Sequence, residues 1–170
     1  MKIRPVLALA VLGAATSIAL AAGDSISAAD FAKKAGAAGA AEVEMGKLGA
    51  QKATNAEVKA FAQKMVTDHT KANKELMAAA KAKGLEVPTE PNMVHKGMKE
   101  KFERQGADAD FNHDFMQQMV RDHESAVELF QTAANDTTLD PELRALAKKT
   151  LPTLQQHLAD ARTLEGKVAK

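Results

Sequence analysis

Residues 61–76 read FAQKMVTDHTKANKEL, and residues 115–130 read FMQQMVRDHESAVELF. Seven of the sixteen aligned positions are identical: Phe61/Phe115, Gln63/Gln117, Met65/Met119, Val66/Val120, Asp68/Asp122, His69/His123 and Ala72/Ala126. In each segment apolar residues recur at steps of three and four, which predicts one buried stripe of a helix. His69 and His123 fall on those stripes, and Asp68 and Asp122 lie about 100° round the helix from them. An acid–imidazole pair inside an apolar pattern is either a buried polar latch or half of a metal site.

The same periodicity extends through most of the chain and predicts four long helices. The first starts near Ser27, follows Phe31, Ala35, Ala38, Met45 and Leu48, and ends near Ala53. The second opens on the capping box Thr54-Asn55-Ala56-Glu57, follows Val58, Ala62, Met65, Ala72 and Leu76, and stops at Gly84. The third runs from about Asp108 to Asn135. The fourth starts at Asp140-Pro141-Glu142, a cap followed by proline at the first helical position, and follows Leu143, Ala147, Leu154, Ala161 and Leu164. Pro152 lies inside it and predicts a kink. Residues 85–107 form a long connector, within which Val94, Met98 and Phe102 suggest a short helix. Two helical hairpins joined by one long crossover predict an all-α, ferritin-like four-helix bundle with the crossover between helices 2 and 3.

The amino-terminal stretch has a different character. Lys2 and Arg4 precede an apolar run, Val6–Leu20, and Ala19-Leu20-Ala21 fits the small-x-small rule for cleavage. Residues 1–22 are therefore expected to be a signal peptide, with residues 23–170 as one secreted, periplasmic domain. With no cysteine there is neither a lipobox nor a disulfide. The formal charge of +1 and scattered basic residues weigh against nucleic acid as a partner. No segment after the signal is apolar enough to span a membrane. A homo-oligomer is left open.

Each predicted long helix carries one metal-competent residue on its apolar stripe: Glu42, His69, His123 and His157. Their types suit copper, zinc, iron or manganese. Counting residues from the turns puts Glu42 and His69 within about 4–5 Å of the same height, but leaves His123 and His157 about 9 Å apart. A compact site from Glu42, His69 and His123 is thus easier to build than a four-ligand one. Asp68 and Asp122 are expected either as ligands or as acceptors that fix a ring on a neighbouring helix.

In these residues the chain resembles a bacterial family, domain of unknown function 4142, often described as an outer membrane protein. The matching signatures are AEVEMGKLGAQKA (41–53), FAQKMVTDHTKANKEL (61–76), FMQQMVRDHESAVELF (115–130) and KTLPTLQQHLADA (149–161). The resemblance covers residues 27–165 and implies a ferritin-like fold, a secretory signal and no assigned role. Metal-active ferritins use Glu-x-x-His, and no Glu stands three residues before any of the five histidines here. Di-iron oxidase chemistry is therefore disfavoured.

Three functions follow from these features. One is a periplasmic metal-binding bundle. Another is a metal-free envelope stress or interaction protein whose Asp/His pairs are structural. The third is an enzyme using those pairs as acid and base, and it lacks any nucleophile motif or phosphate loop to support it.

Overall fold

The computed structural model describes residues 25–169, so the expected signal peptide lies outside the described residues. These residues form five helices and no strand: α1 (Ala28–Lys52), α2 (Ala56–Lys81), α3 (Met93–Arg104), α4 (Ala109–Asn135) and α5 (Pro141–Val168). The pairs α1/α2 and α4/α5 are hairpins. They pack together through α2 against α5 and α1 against α4, while α3 lies against α1.

Local chemistry sets the ends. Ser27, Asn55, Asp108 and Asp140 are N-caps whose side chains accept backbone N–H groups of the first turn. The α2 cap is therefore Asn55 rather than Thr54. Buried Asn112 of α4 takes up Thr54 instead. Its Oδ1 accepts from Thr54 N at 3.0 Å, and its Nδ2 donates to Thr54 Oγ1 at 2.7 Å. After α2 the chain reverses at Gly84, whose φ of +66° suits a residue without Cβ. There Leu85 N donates to the Ala80 carbonyl.

The crossover is tied down from α1. Lys52 Nζ donates to the carbonyls of Phe102 at 2.8 Å and Glu103 at 2.9 Å, and also to that of Gln105. A cation thus neutralises the carbonyl end of α3. Phe102 is buried and Met98 packs on the core, but Val94 is 75% exposed, so the α3 stripe is shorter than its spacing suggests. Helix α5 continues through Pro152, which lies on its exposed side.

The apolar core falls into two clusters. One gathers Met45, Leu48, Val58, Phe61, Met65, Phe111, Phe115, Met119, Ala161 and Leu164. The other gathers Phe31, Ala35, Leu76, Ala79, Ala133, Leu143 and Ala147. Each long helix passes from one cluster to the other, and between them lie the buried polar residues Glu42, His69, His123 and His157.

Close packing at the first cluster depends on Gly49. A Cβ there would meet the Phe115 ring at 2.4 Å and the Ala62 methyl at 2.9 Å. Gly49→Ala gains up to ~1 kcal/mol of helix propensity. We expect the clash to outweigh this gain with an overpacking cost of about 1–3 kcal/mol, read as a lower denaturation midpoint.

Candidate metal centre

His69, His123 and His157 come from α2, α4 and α5, and they are 5%, 0% and 1% exposed. Their ring centroids stand 5.5, 5.4 and 5.4 Å apart, an almost equilateral triangle. One ring nitrogen from each can be chosen so that all lie within 4.8 Å of one another.

Hydrogen bonds identify the nitrogens with a free lone pair. His123 Nδ1 donates to the Met119 carbonyl at 2.8 Å, so its Nε2 is unprotonated. That Nε2 lies 3.4 Å from His69 Nε2. His157 Nε2 donates to Asp68 Oδ2 at 2.9 Å, and its buried Nδ1 has no partner. Each ring therefore has one unprotonated nitrogen to offer once the His69 proton resides on Nδ1. A tetrahedral ion with bonds near 2.0–2.1 Å wants ligand nitrogens about 3.4 Å apart. The His69–His123 pair already has that spacing, and one nitrogen of His157 lies within 4.8 Å of a nitrogen of each of the other two rings.

Burial keeps the rings neutral, which is the ligating form. It pushes His69 well below the usual histidine value, with the neighbouring rings adding to the shift. It lowers His123 to about 4 against the opposing Met119 hydrogen bond. It lowers His157 too, although the Asp68 carboxylate pulls the other way. Asp68 is itself pushed up by burial, but hydrogen bonds from His157 and Lys64 hold it below the usual carboxylate value.

The site differs from the set expected from spacing. His157, the outlier in the height count, stands level with the other two rings. Counting from the α4–α5 turn is the wrong ruler. From the first cluster the polar residues agree, with Glu42 three residues before Met45, His69 four after Met65, His123 four after Met119 and His157 four before Ala161. Between the ring and its helix end, α4 has 12 residues and α5 has 16. That difference, about 6 Å of rise, is taken up by a longer first stretch of α5.

Glu42 is displaced from the ligand side. Its Oε1 lies 3.7 Å from His123 Nδ1, the nitrogen facing away from His69, and its Oε2 has no hydrogen-bond partner. Burial, together with the Asp122 charge, raises Glu42 well above the usual carboxylate value. The Glu42–His123 approach is thus a contact between neutral groups, not an ion pair. Asp122 accepts from Gln118 Nε2 at 2.8 Å rather than from a triad ring, and burial raises its pKa.

One geometric rule accounts for the different fates of Asp68 and Asp122. Helices α2 and α4 run the same way between the clusters and face each other across the core. The residue just before each inward histidine turns toward the next helix round the ring. For Asp68 that helix is α5, which presents His157. For Asp122 it is α1, which presents Glu42. The sequence spacing was equivalent for the two aspartates, and only the identity of the facing residue separates their roles.

A family model described as a domain of unknown function (DUF4142) matches residues 13–164. No curated protein and no solved structure matches the chain.

Proposed function

Because the chain belongs to that family, whose description assigns no activity, the reading must come from the site, and we propose that the protein is a transition-metal-binding helical bundle of the periplasm. The observation that carries it is the set of three buried imidazoles, each of which can offer one ring nitrogen within 4.8 Å of those of the other two. His69, His123 and His157 are the ligands. Asp68 orients His157, and the Met119 carbonyl orients His123, as outer partners do in histidine metal sites. Three imidazoles without a carboxylate favour zinc or copper over manganese. The paired hairpins and the connector through α3 support a ferritin-like four-helix bundle. The leader-like residues 1–22 support secretion.

Binding and buffering of an ion is the role this arrangement fits. Loading chelator-treated protein with Zn²⁺ or copper is expected to give one bound ion per chain. The bound ion raises thermal stability, by about 4 kcal/mol at a free-ion concentration 1,000 times Kd. Metal analysis at background level under every loading condition removes the proposal.

The satisfied N–H groups of His123 and His157 also suit a second reading, a metal-free polar layer that fixes helix register. On that reading, changing His69 and His123 together to leucine keeps the fold and its stability in the presence and absence of metal alike.

A further inference from the structure

The histidine triad has two faces along the bundle axis. Toward the first apolar cluster stand Met65, Met119 and Ala161, each one helical turn from a histidine and fully buried. The Phe61 ring also closes on His123, with centroids 6.3 Å apart. Toward the second cluster lies a cavity of about 520 Å³. Its wall includes Ala72 and Leu76 of α2, Ala126 of α4, Leu154 of α5 and Ala38 of α1. These stand three, four or seven residues from His69, His123, His157 and Glu42, on the same inward faces. The cavity is therefore stacked on the triad, and His69 is the ring that reaches its wall. Exposed Lys34, Asn92, Ser125 and Glu128 form a rim that meets solvent.

Three imidazoles leave a tetrahedral ion one ligand short. Among the described residues no fourth His, Asp or Glu joins the group. Glu42 faces the His123 nitrogen that the Met119 carbonyl holds, and Asp68 accepts from His157. A fourth ligand therefore comes from outside the chain, and the cavity face is the one with room for it. The volume is in the range of small-molecule sites and far above the ~30 Å³ share of one water. A largely apolar wall suits an apolar body, and an ion that takes imidazoles suits a nitrogen or sulfur donor. Glu42 lines the wall too, and its buried Oε2 has no partner in the protein, so a polar atom of the occupant can satisfy it.

We propose that the metal centre keeps its fourth coordination position open to this cavity and takes there a small exogenous ligand, a molecule with one nitrogen or sulfur donor on an apolar body. The inference rests on the metal reading and gives that centre its missing ligand. A nitrogen donor binds through its lone pair. A thiol binds as thiolate, its proton passing to the solvent buffer.

Chelator-treated protein is loaded with Co²⁺, a Zn²⁺ analogue whose visible ligand-field bands report its coordination. Metal analysis of the loaded protein comes first: no bound ion ends the metal reading and this inference together, whereas with an ion bound the probes decide the inference alone. Imidazole, phenylimidazole, ethanethiol and phenylmethanethiol are then titrated against the bands. At least one donor type is expected to shift them saturably. Its phenyl-bearing member should bind about tenfold or more tighter than its small counterpart, because the phenyl ring is buried in the cavity. Ala72→Leu, or Ala38→Leu if the first variant folds poorly, should keep the Co²⁺ bands and lose the preference for the phenyl compounds. Bands unmoved by all four probes, shifts with no preference for a phenyl body, or a preference that survives in a folded filling variant would overturn the proposal. Unmoved bands that change on Met65→Leu or Met119→Leu would overturn it by placing a thioether in the fourth position.

Discussion

Replacing His157 by alanine should lower metal affinity as severely as replacing His69 or His123. The loss should exceed the roughly 10–100-fold that removal of an outer partner costs. Asp68→Asn should fall inside that outer-partner range, because the amide still faces His157 but no longer favours a protonated Nε2. Glu42→Gln should leave affinity unchanged, since Glu42 faces the His123 nitrogen already committed to the Met119 carbonyl. Competition with a chromophoric chelator measures all four variants on one scale. The ranking separates two ligand sets. If Glu42→Gln abolishes binding and His157→Ala spares it, the centre is Glu42, His69 and His123, and the geometry described here is not the metal-bound one.

The second large effect is acid lability of the metal-free protein. The folded chain holds His123 near pH 4, whereas an unfolded chain protonates it near 6.5. Between those values the unfolded state binds more protons, so stability falls as the pH falls. A separation of that size amounts to about 3 kcal/mol for His123, in order of magnitude. His69 and His157 are also held below their ordinary value, and they add in the same direction. Glu42 and Asp122 work the other way. Their folded pKa values are raised, so they cost stability above the usual carboxylate value, and that cost eases as the pH drops. Three histidines act together against these two carboxyls over this window. Denaturant midpoints should therefore fall steadily from pH 7 to pH 4.5, and His123→Leu should flatten the slope. A wild-type midpoint that stays constant over this range would show that the rings are not held neutral in the fold. Bound metal should be released in the same interval, because protons compete for the same lone pairs.

Helical periodicity, cap residues and the stop at Gly84 made the helices legible, since each is a local effect read from a few neighbouring residues. Stripe positions also showed that Glu42, His69, His123 and His157 face inward. The Lys52 clamp on α3 and the Asn112 clamp on Thr54 left no such signal, because each joins residues fifty or more positions apart. Lys52 in particular reads as an ordinary basic residue in the last turn of α1.

The sequence by itself determined an all-helical fold, the inward faces of its long helices and one metal-competent residue on each of those faces. It could not set how far one helix slides along another, because periodicity fixes angle around an axis and not height along it. Packing of the two apolar clusters made that choice and brought His157 level with His69 and His123. The same packing decided which helix faces each aspartate, giving Asp68 an imidazole to orient and Asp122 only the Glu42 carboxyl.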